Sequence, residues 1–76
     1  MKKTRYIQLW NILMEHDLNT VEVAKLAGTT QPAVTQFIMG DHNSLRVAGA
    51  MARLTGEYDE ISRITGISIE QLREAA

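Results

Sequence analysis

Residues 28–40 read GTTQPAVTQFIMG, a stretch without one charged side chain. Its chemistry lies in Gln31, Thr35 and Gln36. A glutamine amide donates and accepts hydrogen bonds through one planar group, and a threonine hydroxyl does both from a single oxygen. Such groups recognise rather than catalyse. Pro32, between them, offers only apolar contact. The rest of the chain holds little for acid–base or metal work. His16 and His42 are the only imidazoles. The EHD run at 15–17 has no metal-motif spacing. Cys is absent, which excludes disulfides and thiolate sites. No Ser/His/Asp set has a positional rationale, and no glycine-rich loop is built to cradle phosphate. Neither an enzyme nor a cofactor, metal or small-molecule ligand is expected.

The elements that must position these amides all read as helices. Tyr6, Leu9, Trp10 and Leu13 form one apolar stripe, with Thr4 as its cap. Asn19 and Glu22 form a capping box, with Leu18 and Val23 as a hydrophobic staple. That second helix stops at Gly28, a natural left-handed terminator. The third starts at Thr30 as N-cap and carries Pro32 in its first turn, where a missing N–H costs little. Val34, Phe37 and Ile38 share its inner face, against Gln31, Thr35, Gln36 and Met39, and Gly40 closes it. The GDHNS turn leads to a fourth helix capped by Ser44 or Asn43, with Val47, Ala50, Met51 and Leu54 as its stripe. Its Ala48, Gly49, Ala50 and Ala52 are small enough to admit a close neighbour. A fifth segment places Tyr58, Ile61 and Ile64 on one side. Ser68 and Gln71 cap the last. The expectation is an all-α, compact domain of five or six short helices. The short hinge at Gly28–Thr29 favours a helix-turn-helix over 19–40.

At 76 residues one domain spans 1–76, with residues 57–76 as a C-terminal helical extension. No apolar run approaches the ~20 residues of a membrane span. In the N-terminal MKKTRYIQLWNILMEHD, Gln8 and Asn11 interrupt the apolar part and no small-residue cleavage site follows, so no signal peptide is expected. The expected location is cytoplasmic. Net charge is −1, but the front is mildly basic and the stretch from Glu57 acidic. An anionic partner would prefer the front.

Residues 19–40 resemble the helix-turn-helix of the Cro/cI (XRE) family of phage and bacterial regulators. Ala24 stands where the two helices touch, Gly28 at the turn, and Val34 and Phe37 at core positions. GTTQ, a hydrophobe three residues on and then Gln36 resemble the 434-type repressors of that family, and Gly40 belongs to the pattern. SLRVAGAMARLTG resembles the family's fourth helix. The likeness covers about residues 4–56. Beyond it, Glu57–Thr65 intervenes before GISIEQL supplies the family's closing pattern.

What the resemblance implies is a lambda-repressor-like domain that binds double-stranded DNA and regulates transcription, as a Cro- or cI-like repressor. The major groove admits one helix, and a glutamine amide can bond adenine at two atoms. In such domains the start of the second helix meets base edges. Gln31, Pro32, Thr35 and Gln36 are therefore the expected base readers. Affinity comes largely from phosphate neutralisation, and this helix has no Lys or Arg. Lys2, Lys3, Arg5, Lys25 and Arg46 are the basic candidates. The resemblance adds Thr20, Thr30 and the 40–46 loop with Asn43 and Ser44 as phosphate-facing groups. So few basic contacts suit a homodimer on a two-fold operator, with half-sites about one helical turn apart. Its expected surface is the tail plus helix four, including Ile61, Ile64, Ile67, Ile69 and Leu72, unless these complete the monomer core. Two alternatives stand beside this reading. One is a helix-turn-helix-fold protein-interaction module, or an antitoxin-type autoregulator, acting through a protein partner. The other is a second helix-turn-helix in ISRITGISIEQL, whose acidic second helix would be repelled by phosphate.

Overall fold

A computed structural model describes residues 3–75. The order is α1 (Lys3–Glu15), α2 (Thr20–Ala27), α3 (Gln31–Met39), α4 (Leu45–Thr55), α5 (Tyr58–Thr65) and α6 (Ile69–Ala75). No strand occurs among the described residues, so the all-α expectation holds. None of these helices is long and apolar enough to cross a membrane.

Local chemistry sets the boundaries. Asn19 Oδ1 accepts from the amides of Val21 and Glu22, at 3.0 and 3.2 Å, and Glu22 Oε1 accepts from the Asn19 amide at 3.0 Å. Three otherwise orphaned donors are thereby satisfied, and losing such a cap costs about 1 kcal/mol. Thr30 and Ser44 cap α3 and α4 by accepting from Ala33 and Val47. Ser68 and Gln71 close the same reciprocal box at the head of α6. Gly28 ends α2 at φ +70°, where nothing would touch an added Cβ. The left-handed backbone itself therefore calls for glycine there.

Helix α4 is the hub. Val47, Ala48, Ala50, Met51 and Ala52 are all buried, and α4 contacts each of the other five helices. A helix that is apolar nearly all round belongs inside. The small residues receive α6: a Cβ on Gly49 would lie 2.9 Å from Ala75 Cβ and 3.1 Å from the Leu72 carbonyl oxygen.

Several expectations change in detail. Thr4 is not the cap of α1, because the helix already includes Lys3. The inner stripe of α1 is Leu9, Ile12 and Leu13, while Tyr6 and Trp10 lie outside. The wide apolar arc of α1 allowed either facing, and the aliphatic trio fills the core. Leu54 is likewise exposed. The largest change concerns the expected dimer surface. Ile61, Ile67 and Leu72 are buried, and Tyr58 and Ile64 pack against the same core. These residues of the extension thus complete the monomer core, while Ile69 stays half-buried. Leu72, the buried residue of α6, faces the core beside α4.

Candidate nucleic-acid interface

Helices α2 and α3 are separated only by residues 28–30. The turn is held by hydrogen bonds from the amides of Gly28 and Thr29 to the carbonyls of Lys25 and Ala24, at 3.3 and 3.0 Å. Helix α3 then packs Val34, Phe37 and Ile38 inward, all at 1% exposure or less. Gln31, Pro32, Thr35 and Gln36 are exposed. The four residues expected to read bases therefore share the free face of one helix.

Their hydrogen-bonding capacity is already partly committed. Gln31 Nε2 donates to Thr20 Oγ1 at 2.8 Å. This fixes the amide plane and leaves Gln31 one N–H and one oxygen to offer outward. Thr35 Oγ1 donates to the Gln31 carbonyl at 3.2 Å. Toward a partner it presents an acceptor and a methyl group. Thr20 is only 5% exposed, so its hydroxyl has an internal partner where a phosphate was expected. The reason is local. Thr20 opens α2 beside the opening of α3, and the Gln31 amide reaches it first.

The far end of α3 is held by Arg5. Its Nε and Nη2 donate to the Phe37 carbonyl at 3.1 and 2.7 Å, and Nη2 also to the His42 carbonyl at 3.4 Å. The guanidinium carbon stands 4.7 Å from the centre of the Phe37 ring. Burial lowers the Arg5 pKa from its ordinary value, but arginine remains charged. A cation here meets the negative end of the α3 dipole. Arg5 was expected among the phosphate-facing cations; the structure spends it on α3 instead. Sequence reasoning missed this strap because 32 residues separate its partners.

The remaining candidates differ in standing. Asn43 Nδ2 donates to the Thr65 carbonyl at 3.1 Å, so its amide anchors the turn to α5. Ser44 and Thr30 use their oxygens as caps, and Thr30 stays exposed. Arg46 and Lys25 are exposed. Arg46 lies in the first turn of α4, where a helix dipole disfavours a cation. Lys2 and the side chain of Lys3 lie outside the described residues. Arg63 is paired with Glu60 at 2.8 Å, and that hydrogen bond holds the Glu60 carboxyl below its usual range. No group of His, Asp or Glu suited to a metal occurs among the described residues.

No family model, no curated protein and no solved structure matches the chain.

Proposed function

We propose that this chain is a sequence-specific, double-stranded-DNA-binding transcriptional regulator, a repressor of Cro/cI type that binds a two-fold operator as a homodimer. Helix α3 enters the major groove with Gln31 and Gln36 as its principal readers. The observation that carries the reading is the outer face of α3. It is an uncharged amide and hydroxyl surface, on a helix capped at its start and strapped by Arg5 at its end. Pre-set polar groups on a rigid element are what base readout needs.

The Thr20–Gln31 bond sharpens the reading. Adenine offers an acceptor at N7 and a donor at N6 in the major groove, whereas guanine offers two acceptors at N7 and O6. Gln31 retains one donor and one acceptor, which matches adenine. Reading guanine would take both amide protons, and one is committed to Thr20. Arg46 and Lys25 meet phosphates. An arginine where the helix dipole works against it is accounted for by an anionic partner.

The test is selection of bound duplexes from a random pool, followed by affinity measurement on the winners across a salt series. A defined two-fold site and a linear fall of log affinity with log salt are expected. The absence of binding to any duplex at low salt would replace this reading with that of a protein-interaction module.

A further inference from the structure

The Gln31 side chain is tethered before any partner arrives. Its Nε2 donates to Thr20 Oγ1 at 2.8 Å, and Thr20 is buried. Thr20 opens α2 directly after the Asn19 cap, and Gln31 opens α3 directly after the Thr30 cap. Both ends of the tether therefore stand on fixed helix starts. An amide held by one N–H can turn outward only its second N–H and its carbonyl oxygen, side by side in one plane.

We propose that this tether makes binding sensitive to N6-methylation of the adenine that Gln31 reads: the unmethylated duplex is bound and the methylated one rejected. The inference rests on the reading of α3 as a major-groove probe. Adenine shows the groove its N7 acceptor and an N6 proton, while its other N6 proton pairs with thymine. When a methyl group replaces one N6 proton and pairing is kept, the methyl takes the groove position. N7 still accepts from Gln31 Nε2. The donor opposite Gln31 Oε1 is gone, and a bulkier carbon stands in its place.

The tether is what turns this mismatch into rejection. A free glutamine would swing its oxygen away from the methyl and into water. For Gln31 that movement breaks the bond to Thr20, whose hydroxyl has little access to water. Either the Gln31 oxygen stays unpaired against carbon, or Thr20 Oγ1 loses its donor. A desolvated polar atom left without a partner lowers affinity about tenfold or more. The same argument that favours adenine over guanine thus also separates adenine from its methylated form.

The test titrates the full chain into its selected duplex, with N6-methyladenine placed at one adenine at a time. At the position whose base preference Gln31→Ala relaxes, methylation should weaken wild-type binding about tenfold or more. The methylation penalty there should vanish in Gln31→Ala, shrink in Thr20→Val and persist in Thr20→Ser, each variant checked for helicity by circular dichroism. A base other than adenine at that position, wild-type binding indifferent to the methyl group, or a penalty unchanged in Thr20→Val overturns the proposal while leaving the DNA reading in place. Binding to no duplex removes both. The tether itself is read without DNA, from the side-chain amide signals of Gln31 in nuclear magnetic resonance spectra. One amide proton should exchange more slowly with water than the other in wild type and Thr20→Ser, and the two should exchange alike in Thr20→Val. Equal exchange in the wild type overturns the proposal whatever the duplexes show.

Discussion

Arg5→Ala discriminates most sharply between a strap and a phosphate contact. The guanidinium makes two close hydrogen bonds to the Phe37 carbonyl and stands over the Phe37 ring. A hydrogen bond to a charged group contributes about 1.5–3 kcal/mol. The ring contact adds about 0.5–1 kcal/mol, and the helix end about 0.3–1 kcal/mol. These share the same atoms and do not add, and ordering a long side chain offsets part of them. A net loss of about 2–3 kcal/mol is expected, a large share of the roughly 4–11 kcal/mol typical of a chain this size. Urea unfolding followed by circular dichroism reads it directly. With a slope of about 1 kcal/mol per molar, the midpoint falls by about 2–3 M. Arg5→Lys keeps the charge and loses the planar fork, so it should fall between. Where Arg5→Ala remains folded, the salt slope of DNA binding should match that of wild type. A variant within about 0.5 kcal/mol of wild-type stability, whose salt slope drops by about 0.9, would refute the strap and return Arg5 to the phosphates.

Four further outcomes are expected. Gln31→Ala and Gln36→Ala should each relax preference at particular base pairs, costing about 1–3 kcal/mol there, measured by competition with single-base operator variants. Thr20→Val frees the second Gln31 amide proton. It should narrow the preference for adenine over guanine at the base Gln31 reads, while Thr20→Ser retains it. Arg46→Ala should weaken all duplexes alike and flatten the salt slope by about one contact. Its stability, by thermal unfolding, should be unchanged or slightly higher. Gly49→Val should destabilise by about 1–3 kcal/mol or more through overpacking against Leu72 and Ala75, read as a lowered urea midpoint.

The helices and their ends were legible because their causes are local. Asn19 with Glu22, Thr30 with Pro32, and Ser68 with Gln71 announce caps within a few residues of one another. The inner face of α3 was legible for the same reason, since Val34, Phe37 and Ile38 obey one period. What stayed hidden depends on contacts between distant segments. Spacing cannot show that Arg5 bends toward Phe37, or that Asn43 is anchored on Thr65. Tyr6 and Trp10 were misplaced because α1 is apolar over more than half its circumference, and only packing decides which arc turns inward. Ile61, Ile67 and Leu72 could serve a partner or the core by pattern alone. The depth of α4 beneath α6 decides for the core.

The outward positions of α3 contribute little to holding the domain together. Val34, Phe37 and Ile38 supply the packing of that helix, and its ends are fixed by Thr30, Gly40 and Arg5. Exchanging Pro32, Thr35 or Gln36 should therefore redirect which site is chosen with almost no toll on folding. Descendants of this chain could change target by substituting surface letters one at a time, each intermediate remaining a foldable protein.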